Sequence, residues 1–205
     1  MIVIPNGIDA VRWRPDPAAG AAARRGWGIP VQVPLVGLVG RLDLMKDHVT
    51  FLAAVRACTV PGLHAVCIGD GEEASTQALR ARIAGLGIGD RVHLVGGTDD
   101  MRDAYNALDV LVSASRGEGF SNVIGEAMAC GVPCVVTDVG DSARIVGTLG
   151  EVVAPEDHEA MALAVERLFA RRHAALATAC RERITMEFGV ERLVQRTRTR
   201  LEALR

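Results

Sequence analysis

Short apolar runs alternate with longer segments of helical periodicity along most of the chain. Residues 34–41, 64–71, 91–96, 110–114, 133–139 and 150–155 are too short for helices and read as buried strands with their turns. Between them, residues 47–58, 73–86 and 100–106 carry helical patterns. A helix starting at Asp157 has an apolar stripe at Met161, Leu163, Ala164, Val165, Leu168 and Phe169. Two more helices, residues 174–186 and 190–204, are separated by Phe188, Gly189, Val190 and Glu191. About six strands, each followed by a helix, predict an α/β fold. The sheet is expected to be parallel, doubly wound and Rossmann-like, with extra carboxyl-terminal helices. Residues 2–9 read as a further short strand ending in the Asn6-Gly7 turn signal. Residues 10–33, rich in Pro, Ala and Gly, read as a loop with one short helix. No internal repeat is present, and no low-complexity linker follows residue 33.

Composition narrows the class. The chain of 205 residues can bury a sizeable single core, and 3% aromatic content with abundant Ala, Val and Gly favours α/β over a β-sandwich. A net charge of −2 gives no argument for a nucleic-acid partner. The basic face of the last helix is interrupted by Glu191 and Glu202, which weakens that reading further. The five cysteines lack zinc-site spacing and read as small core residues in a reducing compartment. No apolar run approaches 18 residues and no signal pattern opens the chain, so a soluble, cytoplasmic protein is expected.

The chemistry concentrates at residues 116–133, Arg-Gly-Glu-Gly-Phe-Ser-Asn-Val-Ile-Gly-Glu-Ala-Met-Ala-Cys-Gly-Val-Pro. Glu118 and Glu126 stand seven residues apart, in a loop that becomes a helix between two apolar strands. In open α/β sheets ligands sit at the carboxyl ends of strands, where this loop falls. Gly117 and Gly119 let a ligand approach the backbone, and Ser121 or Asn122 is the expected helix N-cap. The helix start, at Ser121, Asn122 and Val123, favours phosphate. Glu126, a turn further in, is better suited to sugar hydroxyls, and Glu118 faces a second hydroxyl-bearing group. A phosphate flanked by two hydroxyl-reading carboxylates outlines a nucleotide-sugar. A second group, Gly40-Arg41-x4-Lys46, sets two cations after a buried strand, on the same edge as Glu118. Gly37-x2-Gly40 lacks the dinucleotide spacing, so NAD is not expected. His93, among apolar neighbours, reads as a core or edge histidine.

Glu118-Gly119-Phe120-x5-Glu126-Ala-Met-Ala-x-Gly-x-Pro133 resembles the Glu-x7-Glu signature of retaining GT-B glycosyltransferases of family 4. The resemblance extends over nearly the whole chain. It implies that Arg41 and Lys46 hold the donor diphosphate, with Gly40 at the same strand tip. It also implies that Glu118 meets the donor sugar, Glu126 the ribose, and the loop at Gly97-Thr98 the base. Gly119, Phe120, Ser121, Asn122 and Val123 complete the expected donor site. The family's loop Gly-Gly-x-x-Glu is broken here by Asp141 and Arg144, and the Pro that often follows Gly69-x-Gly71 is absent.

The function so implied is transfer of a sugar from a nucleotide-sugar, UDP- or GDP-linked, to a glycan or lipid-linked acceptor, with retention at the anomeric carbon. No cofactor or metal is implied, since the cations meet the diphosphate. A GT-B enzyme has two such domains, and residues 1–205 resemble only the donor-binding one. An amino-terminal acceptor-binding domain is therefore the expected partner. Residues 187–205 would form the helix that returns to it, and the complete enzyme would work in the cytoplasm or at the cytoplasmic face of a membrane. As it stands, the chain is expected to bind the donor without transferring sugar. Retaining glycosidase chemistry is a rival that needs two carboxyls about 5–5.5 Å apart around one bond. A stand-alone nucleotide-sugar binding module is the non-enzymatic alternative.

Overall fold

The computed structural model describes residues 3–203. Among them six strands form one parallel sheet: β1 (Leu35–Val39), β2 (His64–Ile68), β3 (Val92–Leu94), β4 (Val110–Ser113), β5 (Cys134–Thr137) and β6 (Glu151–Val153). Their spatial order is β3-β2-β1-β4-β5-β6. The chain winds outward from β1 in one direction and from β4 in the other. The crevice between the tips of β1 and β4 is thus the topological switch point, where such sheets bind ligands.

The strands are apolar on both faces because helices cover both. On one face α1 (Pro17–Gly26), α4 (Met101–Ala107), α5 (Asn122–Ala129), α6 (Ser142–Val146) and α8 (Ala174–Phe188) surround a core containing Leu35, Val66, Leu111 and Val136. On the other, α2 (His48–Ala57), α3 (Glu73–Leu86) and α7 (His158–Arg171) cover Leu38, Cys67, Val112 and Val135. The last helix, α9 (Val190–Glu202), has no buried residue. All five cysteines are buried and unbridged, and burial pushes the Cys67, Cys130 and Cys180 thiols up to about 12.

Three details differ from the expectations. The described part of residues 2–9 forms no strand: Ile8 makes a single parallel bridge to Gly189, between α8 and α9. Met1 and Ile2 lie outside the described residues. The loop expected at residues 140–144 turns into α6 at Ser142. Leu163 does not join the α7 stripe but is 54% exposed, because the α7 contact runs through Met161, Ala164, Val165 and Leu168. The segment before residue 33 contains the expected short helix, α1, and is anchored. Arg24 of α1 is buried, donates to the carbonyls of Val31, Val33 and Ala107, and pairs with Asp109 at 3.1 Å.

Candidate functional site

The carboxyl tips of β1 and β4 carry two loops that are locked together. The β1 loop runs from Gly40 to Asp47, the N-cap of α2. Asp47 adopts a left-handed conformation (φ 46°), and its Oδ1 accepts from the Thr50 N–H. Its Oδ2 accepts from Arg116 Nε at 3.0 Å, while the Arg116 N–H donates to the Met45 carbonyl at 2.9 Å. Arg116 therefore ties the β4 loop to the β1 loop by backbone and side chain. Between those ties Lys46 Nζ reaches Glu118 Oε1 at 2.5 Å, and Ser115 Oγ donates to the same oxygen at 2.9 Å. Two residues 72 positions apart in the chain meet at the switch point. Arg41 extends into solvent, with a loose 3.5 Å contact to Asp43.

The β2 loop closes on the β1 loop because it carries glycine. A Cβ at Gly69 would lie 2.1 Å from the Gly40 carbonyl oxygen, so any side chain there would force the two tips apart. Asp70 then bridges onward, its Oδ1 accepting from the Gly97 N–H at 2.7 Å. Thr98 Oγ1 accepts from the Asp100 N–H, which holds the loop after β3 in a local turn. From the other flank, Gly140 (φ 54°) packs against the carbonyls of Glu118 and Gly119, and the Asp141 N–H donates to the Gly119 carbonyl at 2.9 Å. The loop broken by Asp141 and Arg144 thus supports Glu118 from behind.

Helix α5 begins at Asn122 with Ser121 as N-cap, and the buried Ser121 hydroxyl makes no capping bond. Its first N–H groups are left for another acceptor. Asn6 Nδ2 donates to Asn122 Oδ1 at 3.2 Å, fastening the leading segment beside the helix start. The ring of Phe120 packs on Phe188 with centroids 5.9 Å apart, which supports the loop from the side of α8. One turn into α5, Glu126 Oε2 accepts from the Tyr105 hydroxyl at 2.7 Å. Its other oxygen has no protein partner and no cation pairs with it among the described residues. Burial raises the Glu126 pKa, opposed by the Tyr105 hydrogen bond and by the Arg12 charge.

The crevice thus brings Gly40, Lys46, Glu118 and Gly119 together, with Arg41 at its solvent rim, while Glu126 lies one turn into α5 beside Tyr105. A concavity of about 900 Å³ adjoins it between the β1 loop and α3. Arg41, Asp70 and Arg116 line that concavity and neither Glu118 nor Glu126 does. The two histidines of the β2–β3 edge, His64 and His93, stack on each other with 3.0 Å between ring nitrogens, away from the crevice. Tyr105, Asp70, Asp47 and Gly140 are site-forming residues that sequence reasoning missed. The non-glycine left-handed turn at Asp47 leaves no motif, and Tyr105 sits in an ordinary helical pattern. No group of three or more His, Cys, Asp or Glu able to hold a metal occurs among the described residues. No described helix is long and apolar enough to cross a membrane.

Comparison with known proteins agrees with this fold. Residues 33–171 match the family described as glycosyl transferases group 1. The lipopolysaccharide core biosynthesis mannosyltransferase LpsB of Rhizobium meliloti is 34% identical, over 78% of this chain and 48% of its own length. The D-inositol 3-phosphate glycosyltransferase of Geodermatophilus obscurus is 33% identical, over 94% of this chain and 45% of its own length. The chain spans about half the length of the curated relatives it matches. The crystal structure of Anabaena Alr3699/HepE in complex with UDP superposes with a TM-score of 0.89 at 26% identity, covering 98% of this chain and 57% of that one. The carboxyl-terminal domain of the group 1 protein LpcC from Francisella tularensis shares the fold, with a TM-score of 0.75 at 21% identity, over 90% of this chain and all of that one.

Proposed function

This chain belongs to the glycosyl transferases group 1 family, and we propose that it is the donor-binding half of a retaining, family 4 enzyme. Its substrate would be a nucleotide-sugar, and the sugar would pass to a glycan or lipid-linked acceptor held by an amino-terminal domain. The observation that carries this reading is the contact of Lys46 with Glu118 at the switch point, 2.5 Å apart. A cation for the diphosphate and a carboxylate for the sugar must be neighbours, because the bond that breaks joins those two groups. A UDP-glucose complex of the Anabaena neighbour supports a nucleotide-sugar as the ligand class.

In this reading the diphosphate displaces Glu118 as the partner of Lys46, and Arg41 folds in from the rim. The open N–H groups at the start of α5 share the negative charge that grows on the leaving nucleoside diphosphate. Glu118, released from Lys46, meets the donor sugar, and Glu126 takes the ribose hydroxyls. The exposed helix α9, within residues 187–205, is the segment that would return to the acceptor-binding domain. Holding donor and acceptor in one closed cleft contributes about 7–11 kcal/mol to such reactions. This chain alone would therefore bind donor but not transfer it. Reaction without metal or cofactor, in a cytoplasmic enzyme, completes the proposal.

The test is calorimetric titration of the chain with UDP, GDP and ADP and the matching nucleosides. A diphosphate should bind at least tenfold more tightly than its nucleoside, an effect of roughly 1.4 kcal/mol or more. Replacing Arg41 and Lys46 together by Met should remove that preference and most of its salt dependence. Equal affinity for diphosphate and nucleoside in the parent chain would sink the donor-site assignment.

A further inference from the structure

We infer that Tyr105 is a positioning residue for the nucleotide, holding Glu126 so that its second oxygen faces the ribose. The inference rests on the donor-site reading above. Tyr105 lies in α4 and is 1% exposed, so its ring cannot touch ligand. Its hydroxyl has one partner, Glu126 Oε2, at 2.7 Å. The ring is fixed by Trp13, whose plane stands edge-on to it at 76° with centroids 5.5 Å apart. Trp13 is held in turn through its carbonyl, which accepts from Arg181 at 2.9 Å. The phenol is thus a rigid donor aimed at one oxygen of a carboxylate that has no other side-chain partner.

A carboxylate has about four acceptor positions. Tyr105 occupies one, on Oε2, and leaves Oε1 unpartnered. Two vicinal hydroxyls can fill the remaining positions without rotating the carboxylate, so the loss of side-chain freedom on binding is small. The same bond also favours the charged form of the carboxylate. Burial raises the Glu126 pKa and the Tyr105 hydrogen bond opposes that shift. Burial and the neighbouring Glu126 charge raise the Tyr105 pKa well above its usual value, so the phenol stays a donor at neutral pH.

The experiment is Tyr105→Phe, which preserves the ring, its volume and its contact with Trp13. Whichever of UDP, GDP and ADP binds the parent chain best is titrated beside its 2′,3′-dideoxy analogue. The expected result is about tenfold weaker binding of the ribonucleotide. Binding of the dideoxy analogue should be unchanged. The pH below which ribonucleotide affinity falls should also move upward in the variant, because Glu126 loses the bond that favours its charged form. Equal losses for both nucleotides would mean that Tyr105 only supports the fold, and no loss would mean that Glu126 orients itself. Both overturn the inference. Glu126→Ala separates the two levels. If it weakens ribonucleotide binding while Tyr105→Phe does not, only the positioning role fails. If it weakens neither nucleotide, the ribose assignment of the donor site fails with it.

Discussion

The two carboxylates of the Glu-x7-Glu motif differ in every respect except residue type. Glu118 has a counter-ion: Lys46 and Ser115 share its Oε1, and the loop around it is held by Arg116 and backed by Gly140. Glu126 is half-buried with a single hydrogen bond and no counter-ion among the described residues. A buried carboxylate usually finds a cation or several donors, since otherwise its charge is costly. The Glu118 end has therefore a counter-ion of its own, and in the proposed donor site a ligand would have to compete for Lys46. The Glu126 end has none, and there the proposed ligand would supply the missing partners. Such unresolved local conflicts concentrate where function demands them.

Gly140 offers the strongest way to break one end alone. A Cβ there would lie 2.3 Å from the carbonyl oxygens of both Glu118 and Gly119, at a backbone φ of 54°. Backbone atoms cannot give way as a flexible side chain can. Gly140→Ala should cost about 3–5 kcal/mol of unfolding free energy, combining left-handed strain with overpacking. The Glu118 loop would shift while the Tyr105–Glu126 pair, on α4 and α5, stays in place. Denaturant unfolding checks the first part, and a change of less than about 1 kcal/mol would contradict it. Titration with bare nucleoside, which needs only the Glu126 end, should show little change beyond any loss of folded protein.

The contrast between the two ends also explains what was legible in the sequence. Gly40-Arg41-x4-Lys46 and the stretch from Glu118 to Glu126 are local patterns tied to strand tips, and the apolar runs predicted all six strands of the sheet. The partners of those residues were not legible. Tyr105 meets Glu126 only because α4 packs beside α5, and Asp70 reaches Gly97 only because β2 and β3 are neighbours. Residues 2–9 misled because Ile8 is apolar and buried yet pairs with Gly189 through a single bridge. Alternation cannot tell a strand from an extended segment that packs once. Nor does anything in the Pro- and Ala-rich stretch around Arg24 signal that its side chain is buried among three carbonyls and Asp109.

Acid should act on the Glu118 end first. His48, beside Asp47 at the start of α2, is 5% exposed, and its Nε2 has no partner. Burial lowers its pKa to about 4, against the opposing pull of Asp43 and Asp47. The folded chain then keeps a neutral ring while the unfolded chain, with a pKa near 6.5, takes up a proton as pH falls. Stability is thus lost between pH 6.5 and about 4, and the loss should reach about 2 kcal/mol by pH 5. His48→Leu should flatten this arm of the pH–stability profile. A parent profile flat from pH 7 to 5 would rule the mechanism out.

The smallest effect, and the sharpest for the comparison, belongs to Glu126→Gln. Because the folded pKa of Glu126 is raised, ionising this residue costs stability, and the cost is present at every pH above that folded pKa. Glutamine removes the charge while its carbonyl can still accept from the Tyr105 hydroxyl. The empty variant should therefore be slightly more stable than the parent at pH 7, by less than about 1 kcal/mol, and the gain should vanish as pH falls below the folded pKa. Nucleotide affinity should move the other way, because a charged acceptor binds hydroxyls more strongly than a neutral amide. Glu118→Gln should show the reverse pattern of stability, since it leaves Lys46 without its partner. Thermal unfolding of both variants at pH 7 and pH 4, beside ribonucleotide titration, checks the pair. Loss of stability in Glu126→Gln at pH 7 would show that Glu126 is as well satisfied as Glu118, and the distinction between the two ends would collapse.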